Sequence, residues 1–166
     1  MKIKETLPTV ITIGNMISGF ASILCILNQQ FEIAAWLIVA AMALDAFDGK
    51  LARMLKTTSK IGSQLDSMAD LVTFGIAPAL LVGKTCTNLP SVIMWGIGLF
   101  YMICAAFRLA RFNVQKDEDV NISRHFFAGL PTTLSGGTIA QLIILNHFIQ
   151  ARLGTDVVMI LLPFVT

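Results

Sequence analysis

A chain of 166 residues that is 55% hydrophobic and 13% charged, with a mean hydropathy of +0.76, is too apolar to be an ordinary soluble domain. Its formal net charge is +2, and no nucleic-acid partner is expected. The three cysteines, Cys25, Cys86 and Cys104, are odd in number and lack CxxC spacing. They are read as reduced packing residues and not as a disulfide or zinc site.

Hydropathy predicts an all-α, polytopic membrane protein with six spans, at about residues 7 to 28, 31 to 56, 62 to 84, 90 to 113 and 129 to 150, with a sixth from near 154. The whole of 1–166 is read as one transmembrane domain. The sixth segment ends at Thr166 and is shorter than a span, so the natural chain is expected to continue. The first span follows Met1-Lys2-Ile3-Lys4-Glu5 directly. It is too long for a signal-peptide core and lacks a small-residue cleavage site, so it is read as retained. Within it Gly14, Ser18 and Ser22 recur at four-residue intervals, a pattern that lets membrane helices approach closely. Asn15 lies beside that stripe, and a side-chain amide in an apolar helix needs a partner.

The second and third spans carry Asp45 and Asp48 at i, i+3 and Asp66 and Asp70 at i, i+4. Each pair falls on one face of its helix. A carboxylate in hydrocarbon costs roughly 2.5 to 3.5 kcal/mol on insertion scales, so four of them require a shared cation. Two divalent ions, bridged by carboxylates from two helices, would neutralise four charges and polarise a pyrophosphate. Ligation by oxygen alone favours Mg²⁺ or Mn²⁺, with Ca²⁺ as a further bound ion, over zinc.

Around the acids the chain runs D-x2-D-G-x2-A-R-x8-G-x3-D-x3-D from Asp45 to Asp70. Gly49, Ala52 and Gly62 are small enough to shape a slot for a flat nucleobase, and Arg53 can bind phosphate oxygens. A purely structural reading would pair the acids with Lys50, Arg53 or Lys60. It is disfavoured because buried ion pairs rarely gain net stability and the acids outnumber the facing bases.

The fourth span ends in Arg108 and Arg111, at i, i+3, with Asn113 nearby. This set can hold a carboxylate, and snorkelling of the arginines to headgroups is the alternative reading. Ten of the twelve basic residues fall on the side of the N-terminus and the even-to-odd connections, which makes that side cytoplasmic by the positive-inside rule. Asp45 lies about 21 Å along its helix from Phe31, at 1.5 Å per residue, which puts the acids in the cytoplasmic half. Glu32, His147 and Asp156 then lie on the far side, and His125 is read as a surface residue.

The eight fixed positions resemble the signature of the CDP-alcohol phosphotransferases. That resemblance implies a CDP-linked donor whose phosphatidyl or phosphoalcohol group passes to a hydroxyl with release of CMP. Asp45, Asp48 and Asp66 would be the main metal ligands, and Asp70 would complete the second site and act as general base. Asn15, Asp48, Gly49, Ala52, Arg53 and Gly62 would receive the CDP-lipid. Three further stretches, Asp70 to Ala79, Arg108 to Asn113 and Phe127 to Thr132, resemble the membrane-type phosphatidylserine synthases. They imply CDP-diacylglycerol or CDP-archaeol as donor, L-serine as acceptor bound by Arg108, Arg111 and Asn113, and a homodimer. Inositol phosphate or glycerol phosphate as acceptor, and an intramembrane cation transporter, are the rival readings.

Overall fold

The computed structural model describes residues 3–55, 60–85, 90–118 and 132–153. Six α-helices follow in order: α1 (Ile3–Leu27), α2 (Phe31–Leu55), α3 (Lys60–Asp70), α4 (Ala77–Thr85), α5 (Ser91–Glu118) and α6 (Thr132–Leu153). A π-helical segment, Leu71–Ile76, joins α3 to α4, so the third expected span is one continuous rod of changing pitch. Every described element is helical, as the sequence predicts.

Three stretches are long and apolar enough to cross a membrane: Val10–Leu27, Ile61–Thr85 and Ser91–Val114. The chain is an integral membrane protein, and its outward faces suit lipid. Phe47, Phe100, Phe107 and Val92 stand exposed, as side chains bathed in acyl tails must. At 25 and 22 residues α2 and α6 are as long as spans. Charges at Asp45, Asp48, Lys50 and Arg53 dilute α2, and Gln141, Asn146 and His147 dilute α6. The sixth expected span, with Asp156, lies outside the described residues, as do Cys86 and His125. Cys25 and Cys104 are free thiols.

The turn from α1 into α2 is closed by backbone bonds alone. Gln29 N–H donates to Ile26 O at 3.0 Å and Gln30 N–H to Cys25 O at 2.8 Å, with Gln29 at φ 61°. This is the Schellman pattern, with glutamine where glycine is usual. It sends α2 back along α1. Ser22 Oγ then donates to Ala34 O at 2.9 Å and Ser18 Oγ to Leu37 O at 3.0 Å, so two members of the small-residue stripe do join the helices. Gly14 does not among the described residues, since a Cβ built there meets none of them within 4 Å. The close approach falls instead at Gly19, where a Cβ would lie 2.9 Å from Thr73 Cα.

Alanines thin the centre of the bundle. Ala34, Ala35, Ile38 and Ala41 of α2 pack with Ile26, Phe74, Ala77, Leu81, Ala140 and Ile143 in one core. At its middle Phe74 meets Gly136 of α6, where a Cβ would stand 2.9 Å from both Cα and O of Phe74.

Pro78 accounts for the change of pitch. It has no N–H to give the Phe74 carbonyl four residues back, and its ring would clash with that carbonyl in an α-helix. The chain widens here, and Ala77 N–H reaches Val72 O, five residues back. Tyr101 of α5 takes up the displaced carbonyl, its hydroxyl donating to Phe74 O at 2.9 Å.

Candidate metal centre

The helices bring three of the four aspartates together. Asp45 comes from the second half of α2, and Asp66 and Asp70 from successive turns of α3. One oxygen from each lies within 4.8 Å of the other two, and all three side chains are half-buried. Two unit negative charges at that separation repel by roughly 3 to 4 kcal/mol at an effective dielectric of about 20. A cation among them reverses the sign of the largest local interaction. The donor set fits the expected ion, since oxygens alone at this spacing suit a hard divalent cation.

Asp48, one turn beyond Asp45, keeps its helical backbone, but its side chain lies outside the described residues, as do those of Gly49, Ala52 and Arg53. Gly62 is half-buried in the first turn of α3, one turn before Asp66.

Asn15 reaches the cluster from α1. It is 1% exposed, its Nδ2 is 3.4 Å from Asp70 Oδ1, and its backbone carbonyl accepts the Thr73 hydroxyl at 3.2 Å. Its Oδ1 is buried with no hydrogen-bond partner. Such an atom costs about 1 to 3 kcal/mol in desolvation. The residue expected to border the donor lipid is thus seated against a carboxylate of the centre.

The three residues expected to hold serine all lie on α5 and have different surroundings. Asn113 Oδ1 accepts the Ser67 hydroxyl at 2.9 Å, and Ser67 lies on α3 between Asp66 and Asp70. Arg108 is half-buried and donates to Thr132 Oγ1 at 2.6 Å. Arg111 is exposed. Asn113 therefore borders the acids, while Arg108 is anchored on the first residue of α6.

That anchor belongs to a polar strap absent from the sequence reading. Thr132 O accepts Ser135 Oγ at 2.9 Å, Ser135 Oγ lies 3.1 Å from the Tyr101 hydroxyl, and Tyr101 holds Phe74 O. The strap runs from Arg108 across α6 and α5 to the π-helical segment that follows Asp70. Its sequence signal is slight: the chain's single tyrosine in an apolar span, and a proline that must leave a carbonyl wanting. Far from it Glu32 and His147 pair at 3.3 Å, two residues assigned above to the side away from the acids.

Residues 5–165 match the family model described as CDP-alcohol phosphatidyltransferase. The chain is similar to the CDP-diacylglycerol–serine O-phosphatidyltransferase of Bacillus subtilis (strain 168), 36% identical over 149 residues, covering 90% of this chain and 81% of that protein. It is 36% identical over 144 residues to the protein of that name from Mycobacterium leprae, covering 86% of this chain and 48% of that one. With the Helicobacter pylori (strain J99) protein of the same name it shares 34% identity over 148 residues, covering 87% of this chain and 61% of that one. It thus spans 48% to 61% of the length of these last two relatives.

Proposed function

Because the chain belongs to the CDP-alcohol phosphatidyltransferase family, we propose that it makes a serine phospholipid, transferring a phosphatidyl or archaetidyl group from a CDP-activated lipid to L-serine with release of CMP. The observation that carries this reading is the cluster of Asp45, Asp66 and Asp70 oxygens contributed by two helices. The names of the relatives favour CDP-diacylglycerol and serine over inositol phosphate or glycerol phosphate as substrates. The family match favours group transfer over cation transport.

In this reading Asp45, Asp48, Asp66 and Asp70 hold two divalent cations, Mg²⁺ or Mn²⁺, which when bound polarise the pyrophosphate and offset charge on the departing CMP. Gly49, Ala52 and Gly62 leave room for the cytosine, and Arg53 pairs with phosphate oxygens. Arg108 and Arg111 receive the serine carboxylate, Arg108 with its guanidinium already oriented by Thr132. Asn113, tied to Ser67, borders the same space. The serine hydroxyl oxygen bonds to the lipid-side phosphorus and its proton passes to Asp70. The bond from that phosphorus to the bridging oxygen breaks, and its electron pair leaves with CMP.

Direct attack is preferred to a covalent enzyme intermediate, since no fixed position of the motif is Ser, Cys or His and carboxylates spent on cations are poor nucleophiles. The test is an acceptor screen with purified protein and one CDP-lipid donor. Serine-dependent CMP release is expected, and a product formed faster with inositol phosphate or glycerol phosphate would overturn the assignment. Inversion at phosphorus, with no exchange of labelled CMP into the donor when serine is absent, is the expected stereochemical outcome.

Six spans, a cytoplasmic N-terminus and active site, and a homodimeric assembly complete the proposal. The charge distribution supports the orientation, with ten of twelve basic residues on one side.

A further inference from the structure

Asn15 touches Asp70 from a helix, α1, that supplies none of the acids. Its side chain is enclosed, its Oδ1 has no hydrogen-bond partner, and its Nδ2 stands 3.4 Å from Asp70 Oδ1. That contact is long for an N–H···O bond, whose heavy atoms lie 2.7 to 3.2 Å apart. The two ends of a carboxamide have nearly the same shape, and a half-turn about the terminal torsion exchanges them without a change in volume.

Exchanged, the amide oxygen would face the Asp70 oxygen at the same 3.4 Å separation. Two acceptors so placed repel each other unless a cation lies against both. Adjacent oxygens at right angles around Mg²⁺ or Ca²⁺ stand about 3 to 3.7 Å apart, given their bond lengths. Retreat of Asn15 is prevented by the bond from Thr73 to its own carbonyl and by the contact of Gly19 with Thr73, one turn further along α1.

We propose that Asn15 is a neutral oxygen ligand of the divalent cation held by Asp45, Asp66 and Asp70, its carboxamide turning from donor to Asp70 in the cation-free protein to ligand in the loaded one. This rests on the divalent-cation reading of the acid cluster. It adds a third helix to the centre and a coordinating oxygen without another negative charge, and it gives the orphaned Oδ1 a partner.

The experiment is a Mn²⁺ titration of the full chain in detergent, without substrate, with free Mn²⁺ read by electron paramagnetic resonance. Wild type, Asn15→Leu, Asn15→Asp and, as a comparator, Asp45→Asn are titrated side by side. Asn15→Leu is expected to weaken Mn²⁺ binding about 10- to 100-fold. Asn15→Asp, which keeps an oxygen but loses the N–H donor, is expected to bind within about threefold of wild type or more tightly. Should the leucine variant fail to fold, Asn15→Ala gives the same comparison. Wild-type affinity in Asn15→Leu, or affinity in Asn15→Asp as weak as in the leucine variant, would overturn the proposal and leave the acid cluster standing. No Mn²⁺ binding by the wild type, with Asp45→Asn indistinguishable from it, would overturn the cation reading and this proposal together.

Discussion

At the scale of single residues, the acids are legible because hydrocarbon makes them expensive. Four carboxylates at helical spacings in apolar sequence call for a shared ion. The structure brings Asp45, Asp66 and Asp70 within 4.8 Å, which one chain of letters cannot do without knowing how α2 meets α3. Asp45→Asn, Asp66→Asn and Asp70→Asn are each expected to cut CMP release at least about 100-fold, more than loss of an outer-shell partner costs. Folding should survive, because each change removes a mutually repelling charge. The check is a thermal melt with and without Mn²⁺: the variants should melt cooperatively yet lose the upward shift that a bound ion gives the wild type. The sequence marks Asn15 as a polar residue in need of company and as a candidate for the CDP-lipid site, but not as a neighbour of Asp70, which lies 55 positions away.

At the scale of elements, the helices follow from hydropathy but their internal irregularities do not. A period of 3.6 residues predicts one rod over the third span, yet Pro78 forces a wider turn before it, and Tyr101 from another helix meets the displaced carbonyl. Tyr101→Phe is expected to destabilise the protein by about 1 to 3 kcal/mol, the penalty for a buried acceptor stripped of a donor, read in a denaturant or thermal melt. Thr132→Val keeps the shape of a buried side chain and deletes the hydroxyl on Arg108. The serine KM should rise about tenfold, the worth of one charge-assisted hydrogen bond, while the donor KM holds and Thr132→Ser restores the wild-type value. An equal rise in both KM values would detach Arg108 from the serine carboxylate. In the α1–α2 turn a left-handed glutamine carries about 1 to 2 kcal/mol of strain that glycine lacks. Gln29→Gly should therefore raise the thermal midpoint by a few degrees.

For the molecule as a whole, composition already makes the chain a membrane protein, and the three apolar stretches agree. Orientation rests on the charges alone. A cysteine introduced at Ser59 should react with an impermeant reagent only from the cytoplasmic side, and one at Asn88 only from outside, after the native cysteines are replaced. Reversed labelling would turn the proposed active site away from the cytosol. The Glu32–His147 pair belongs to the same question, since it joins α2 to α6 at a point remote from the acids. Neither partner alone signals the other in sequence, because each is an isolated polar residue near the end of a long helix.

The segment just beyond Asp70 is gripped on two sides by residues that have no side chains. Thr73 lies against Gly19 and Phe74 against Gly136, and a Cβ added at either glycine would fall 2.9 Å from the Cα of that neighbour. The position of an acidic residue is therefore decided by two hydrogen atoms on helices that bear none of the acids. A methyl group at either glycine would act as a wedge, pushing the rod along its axis and pulling Asp70 out of register with Asp45. Such a protein would keep every chemical group of the active site and lose the distance between them, so that a defect in catalysis arises from an alanine that touches neither substrate nor ion.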